Sequence, residues 1–223
     1  MVKAPRLTRE AILDGSIREH ILRSPELRAM VLPEAERLAS LRATLAEAPE
    51  KGDVWVFGYG SLIWNPAIHF IEKRTARIHG YHRRFCLWSP LGRGTTEKPG
   101  LMLALESGGA CSGVALRIAN HAVESELDIL WRREMFTDAY RPTWVTARTR
   151  DGSIAAITFV INRSNARYAG RLSEERIAHH IATAEGPMGA CRDYLFETVR
   201  HLAELGIRDR RLEAMAQRVR ARE

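Results

Sequence analysis

Two places in this chain carry residue types suited to handling a small polar substrate. The first is Val54-Trp55-Val56-Phe57, which runs straight into Gly58-Tyr59-Gly60-Ser61-Leu62. β-branched and aromatic residues favour a pleated, buried strand. Two glycines around a tyrosine let the backbone turn tightly and bring bare N–H groups against a ligand. A loop of this kind at a strand's end suits a small anion, and it equally suits a plain turn or bulge. The second place is Glu134, within Trp131-Arg132-Arg133-Glu134-Met135-Phe136. Helical spacing upstream puts Glu134 at a helix C-terminus, where the negative end of the macrodipole disfavours a carboxylate. The apolar neighbours Trp131, Met135 and Phe136 add desolvation in the same direction. A glutamate raised towards neutrality can take up and return a proton near neutral pH. A salt bridge to Arg132, Arg133 or Arg141 would explain the same residues without chemistry.

Other candidates are weaker. Glu185-Gly186-Pro187-Met188-Gly189, followed by Arg192 and Tyr194, reads as a Gly-Pro helix break. Tyr140 and Tyr168 fall at strand or loop edges, where each could lend a hydroxyl to a pocket or sit half-buried in the core. The phosphate-loop pattern is missing, and Gly58-x-Gly60 lacks the third glycine of a dinucleotide fingerprint because residue 63 is isoleucine. Ser61 does not fit a nucleophile elbow. The histidines offer no metal-binding pattern: His79 and His82 fall in or near strands, and His179-His180 point to different helix faces. Cys86, Cys111 and Cys191 are widely spaced, without a Cys-x-x-Cys pair, and read as reduced structural thiols.

Composition narrows the class. The 223 residues fit one generous domain, or one domain with an appendage, and 45% hydrophobic with 27% charged residues is ordinary for a soluble globular protein. A formal charge of +7 invites a nucleic-acid reading. The arginines argue against it, because those from Arg208 to Arg222 and in the first helices alternate with acids, as on a solvated face. His82-Arg83-Arg84 between Tyr81 and Phe85 reads as a strand with two faces. No nucleic-acid or membrane partner is expected. Met1–Arg6 lacks the apolar stretch of a leader, so a cytoplasmic setting is expected.

The elements that must position these residues follow from periodicity. Thr8 can cap a helix to about Arg23 with Ile12, Leu13, Ile17 and Ile21 on one face, and Ser24-Pro25-Glu26 restarts it. Leu38, Leu41 and Leu45 continue a helical pattern to a linker at Ala48–Gly52. Strands are expected at 53–58, 74–79, 83–89, 100–106, 111–118, 142–149 and 154–161, the last two joined by a hairpin at Asp151-Gly152. Asn120 can cap a helix through 133, and Ser173 opens another. Helices on Leu195, Val199 and Leu202 and over the basic C-terminus complete the chain. The expected class is mixed α/β (α+β) with a curled sheet or small barrel. The expected units are a helical extension over 1–50, a main domain over 53–207 and a basic helix over 208–223.

Val56-Phe57-Gly58-Tyr59-Gly60-Ser61-Leu62-Ile63-Trp64-Asn65-Pro66 resembles the opening signature of the ChaC-type, glutathione-specific γ-glutamylcyclotransferases. The resemblance continues through Gly80–Ser89, Gly113-Val114-Ala115, Arg133-Glu134-Met135, Gly186-Pro187-x-Gly189 and Tyr194–Glu197, in order, over about residues 54–200. It implies a γ-glutamylcyclotransferase-like fold with a small barrel flanked by helices. It also implies a lyase reaction that cleaves glutathione to 5-oxoproline and cysteinylglycine, with no cofactor and no metal. Phe57, Gly58, Tyr59, Gly60, Ser61 and Leu62 would bind the γ-glutamyl group, and Glu134 would be the catalytic acid/base. Other γ-glutamyl peptides or amines are alternative substrates, and a non-catalytic regulatory partner of a cation transporter is the alternative of another kind. Oligomeric state is not implied.

Overall fold

The computed structural model describes residues 7–90 and 92–222. Met1–Arg6, from which the absence of a leader was expected, lies outside them. Its centre is a closed barrel of β1 (Val54–Gly58), β2 (Glu72–Ser89), β3 (Gly100–Ile118), β4 (Tyr140–Thr149) and β5 (Gly152–Ile161), in the order β1-β3-β2-β4-β5. Closure comes from β1, which pairs antiparallel with β3 and parallel with β5. A closed barrel leaves no free strand edge. The expected mixed α/β class with a small barrel is therefore what the chain adopts.

The seven expected strands of the main sheet are five in the barrel. The segments 74–79 and 83–89 form one strand, β2, and 100–106 and 111–118 form one strand, β3. Gly80, Gly108 and Gly109 lie between the expected segments. They have positive φ (86°, 98° and 74°) and mark a register shift between His79 and Tyr81, so the ribbon bends without ending. β4 and β5 are joined by the expected hairpin, with Thr149 opposite Gly152.

Helix α5 (Val123–Glu134) lies against the barrel with Leu127, Leu130 and Trp131 fully buried. Full burial of each such side chain contributes roughly 1.5–3 kcal/mol. Trp131 meets Phe159 of β5 edge-on at 5.3 Å. Asn120 does not cap α5 as expected. It opens a 3₁₀ turn, and its amide donates to Asp53.

The expected helix from Thr8 to Arg23 is two helices, α1 (Arg9–Leu13) and α2 (Ser16–Leu22). They break at Gly15, whose φ of 77° only glycine adopts at little cost. α3 (Pro25–Arg28) starts at the Ser24 cap, and α4 (Glu34–Ala46) follows. This preface is tied to α5 by Arg9–Glu126 and Arg37–Asp128, each at 2.7 Å, and to β4 by a bond from the Trp144 indole to Thr44 O. α6 (Glu174–Thr183) is capped by Ser173 as expected. The Gly-Pro break is a two-residue ladder of β6 (Glu185–Gly186) and β7 (Gly189–Ala190), and α7 (Cys191–Glu204) and α8 (Arg210–Arg220) follow. No helix among the described residues is long and apolar enough to cross a membrane.

Candidate active site

The glycine loop leaves β1 at Gly58, which pairs with Val114. Neither loop glycine has positive φ, so the tight backbone turn is not why they are glycine. Each is needed for close approach. A Cβ on Gly58 would sit 2.8 Å from Leu62 Cβ, and one on Gly60 would sit 2.7 Å from the Tyr194 hydroxyl. Ser61–Ile63 then makes one 3₁₀ turn, closed by Ile63 N–H donating to Gly60 O. The first amides of a helical turn have no intrahelical acceptor. Those of Ser61 and Leu62 meet none among the described residues. The buried Arg83 guanidinium donates to Tyr59 O at 2.8 Å, and the Tyr59 hydroxyl donates to Phe159 O at 2.9 Å. The loop is clamped from two sides.

Glu134 is the last residue of α5, and its side chain is 16% exposed. Arg133 joins it to the loop. The Arg133 Nη2 donates to Ser61 Oγ at 2.8 Å, Nη1 donates to Asn65 O, and Nε lies 2.8 Å from Glu134 Oε1. The Nε–H is not directed at that oxygen and has no acceptor among the described residues, so the pair is a charge contact rather than a shared proton. Burial drives the Glu134 pKa up, the Arg133 charge holds part of that rise back, and the net direction is upward. The contact expected of a salt bridge is thus present, and the carboxyl pKa is nonetheless raised. Arg132, by contrast, pairs with Asp128.

Tyr59, Tyr140 and Tyr194 line the same cavity as the carboxylate, within its electrostatic reach. Burial raises the pKa of each, and the Glu134 charge raises it further. All three therefore stay protonated at neutral pH.

The structure brings Tyr59, Gly60, Ser61, Leu62, Glu134 and Tyr140 onto the wall of one cavity of about 230 Å³. Phe57 and Gly58 are buried, and neither lines the cavity. Tyr168 does not line it either. Its hydroxyl donates to Glu106, which also pairs with Arg84 and Arg163. Sequence reasoning passed over Arg133 except as a salt-bridge partner, and missed Arg167 and Phe159 altogether. It also set the first fifty residues aside, yet Ile12, Ile17 and Ile21 line the cavity too. Their apolar stripe was visible, but nothing in it showed which surface it covers.

The three cysteines are free and buried. Burial pushes the Cys86 thiol up to about 12 and the Cys191 thiol up to about 11, so neither supplies a thiolate near neutral pH. No cluster of His, Cys, Asp or Glu among the described residues could hold a metal ion.

The sequence model of the family described as ChaC-like protein matches residues 54–222. The glutathione-specific γ-glutamylcyclotransferase of Escherichia coli K12 is 45% identical over 196 residues, covering 87% of this chain and 81% of that one. The γ-glutamylcyclotransferase 2-3 of Arabidopsis thaliana is 35% identical over 178 residues, covering 75% and 88%. Among solved structures, a γ-glutamyl cyclotransferase specific to glutathione from yeast superposes with a TM-score of 0.70 at 22% identity, over 77% of this chain and 97% of that one, which speaks to the fold. The match over residues 54–222 spans the barrel, the glycine loop and the Arg133-Glu134 pair, and on it the chain belongs to the ChaC-like protein family.

Proposed function

We propose that the protein is a γ-glutamylcyclotransferase that cleaves reduced glutathione to 5-oxoproline and cysteinylglycine. The observation that carries this reading is Glu134, a half-buried carboxylate of raised pKa on the cavity wall, held beside the glycine loop by Arg133. The substrate brings its own nucleophile. Its α-amine lies five-membered-ring distance from the γ-carbonyl, so no protein nucleophile is needed.

That amine has a reference pKa of about 8 and is mostly protonated at neutral pH. Glu134 takes one proton from it. The free amine attacks the γ-carbonyl, forming the ring C–N bond and a tetrahedral oxyanion. The bond to the cysteinyl nitrogen then breaks as that nitrogen takes the proton back from Glu134. The ring nitrogen loses its second proton, and the released amine of cysteinylglycine gains one, so protons balance overall. The Ser61 and Leu62 amides are donors for the oxyanion or the α-carboxylate. The cavity holds the substrate in its ring-closing conformer, which removes much of the entropic cost of the attack.

The test is incubation of purified protein with glutathione, following 5-oxoproline and cysteinylglycine. Release by the wild type and a fall in kcat of about 10²–10⁴-fold in Glu134→Gln are expected. Wild-type-like turnover by a folded Glu134→Gln would overturn the proton-carrier role. Cleavage of γ-glutamyl-alanine but not of glutathione would redirect the reading to other γ-glutamyl substrates.

A further inference from the structure

Five arginines line the cavity, and three are paired with carboxylates: Arg37 with Glu34 and Asp128, Arg132 with Asp128, and Arg133 with Glu134. Arg18 lies with its guanidinium 5.8 Å from the Phe136 ring centre. Arg167 is different. It has no carboxylate partner among the described residues, yet every other part of it is fixed. Its amide donates to Asn165 Oδ1 at 2.9 Å, and its carbonyl accepts from Trp88 N–H at 2.9 Å. Its Nε donates to Trp88 O at 2.8 Å, and Nη1 donates to Thr137 Oγ1 at 2.9 Å. The neighbouring Ala169 N–H donates to Cys86 O, so the whole segment is pinned to the end of β2. Only Nη2 has no acceptor among the described residues. A guanidinium cannot shed its charge at neutral pH, and a half-buried one without a counter-charge is costly to keep. Desolvation accordingly lowers the Arg167 pKa, the reverse of the raised value of the paired Arg37.

Distance also favours a role in binding. Thr137, which Arg167 grips, is three residues beyond Glu134 in the chain. Their Cα atoms are therefore at most about 11 Å apart. In glutathione the scissile carbonyl is separated from the terminal carboxylate by two peptide units, about 7 Å when extended. Tyr140 lies within electrostatic reach of both Glu134, which raises its pKa, and Arg167, which lowers it. A substrate with its γ-carbonyl at Glu134 can thus carry its far end to Arg167 along the Tyr140 side of the cavity.

We propose that Arg167 binds the glycine carboxylate of the substrate and so selects glutathione over γ-glutamyl compounds that lack a C-terminal carboxylate. This rests on the cyclotransferase reading of the same cavity. It adds a residue that acts on affinity at the end of the substrate where no bond changes.

The experiment compares glutathione with its C-terminal amide, in which only the distal charge is removed. For the wild type, KM on the amide should be about 10–100-fold above that on glutathione, as for loss of a charge-assisted hydrogen bond, with kcat little changed. Arg167→Gln should raise KM for glutathione to a similar degree and treat acid and amide alike, while Arg167→Lys keeps part of the preference. Equal losses on both substrates with the preference intact would mean a purely structural role and overturn the proposal. Retention of the preference in Arg167→Gln with its loss in Arg18→Gln would overturn it too. A second measurement does not depend on turnover or on Arg167→Gln folding. Calorimetric titration of Glu134→Gln should show glutathione binding about 10–100-fold tighter than the amide, and equal affinities would sink the idea. If the wild type releases no 5-oxoproline while this binding preference persists, the reaction assignment fails and the carboxylate site stands.

Discussion

Arg133 donates from Nη2 to Ser61 Oγ over 2.8 Å, and with the same guanidinium it stands 2.8 Å from the Glu134 carboxylate. One side chain thus positions the loop and sets the charge of the candidate proton carrier. Arg133→Met should lower kcat/KM by about 10–10³-fold, the cost of losing charged hydrogen bonds at two points. It should also leave a second signature. Arg133 holds the Glu134 pKa down, so its removal moves that pKa further up. The base form is then reached only at higher pH. The acidic limb of the kcat/KM profile should shift to higher pH; an unshifted limb would separate Arg133 from the titration of Glu134.

The raised pKa of Glu134 has a consequence for stability. A carboxyl whose folded pKa lies above its unfolded value favours the folded state at low pH, and that contribution is lost as pH rises through the folded pKa. Its reference value is 4.5, so at pH 7 the ionised Glu134 weighs against folding. Glu134→Gln should therefore melt higher than the wild type at pH 7, by about 2–4 °C per kcal/mol recovered. The difference should shrink as pH falls through the raised folded pKa and be gone below 4.5. Thermal melts of both proteins from pH 4 to 8 check this.

Gly60 faces the Tyr194 hydroxyl, with 2.7 Å between that oxygen and the position of an added Cβ. Gly60→Ala should displace either the loop or the ring and reduce kcat/KM, with overpacking costing about 1–3 kcal/mol of stability. Removing the oxygen relieves the clash. The double variant Gly60→Ala with Tyr194→Phe should therefore recover part of both losses. A double variant no better than the single would place the strain in the loop backbone.

Glu126 holds the N-terminal helices on the barrel: it pairs with Arg9 and accepts from the His69 amide at 2.8 Å. Burial pushes its pKa up, but the Arg9 bond and the His69 amide outweigh that, and the net direction is downward. A lowered carboxyl pKa stabilises the fold above the unfolded value and is lost as pH falls through the folded one. Glu126→Gln should cost about 1–3 kcal/mol at pH 7 and nothing at pH well below 4.5. Hydrogen exchange should rise over residues 9–22, and substrate affinity should fall, because Ile12, Ile17 and Ile21 wall the cavity.

How much of this could be read in advance depended on the range of the interactions. The β4–β5 hairpin at Gly152, the Ser24 and Ser173 caps and the apolar face of α5 are local, and residue type and spacing within a few positions determine them. The helix expected from Thr8 to Arg23, by contrast, runs across Gly15, and the expected strands stop short of Gly80 and of Gly108-Gly109. A glycine permits a bend, but whether the ladder survives it depends on the partner strand. Tyr140 and Tyr168 looked alike as edge tyrosines, yet one lines the cavity and the other bonds Glu106. Which face of an edge residue turns inward is set by pairing across the barrel.

The sequence by itself determined the residue types that do the proposed work: the Gly58–Leu62 loop at the end of a buried strand, and Glu134 closing an amphipathic helix among apolar neighbours. Each follows from local backbone preference and periodicity. Only the tertiary structure decided that they meet. Barrel closure brings the end of β1 beside the end of α5 and places Tyr194 against Gly60. It sets Arg133 between loop and carboxylate, and it leaves Arg167 on the cavity wall without a counter-charge among the described residues. Those relations join residues far apart in the chain, where burial and charge balance decide the outcome and no local pattern records it.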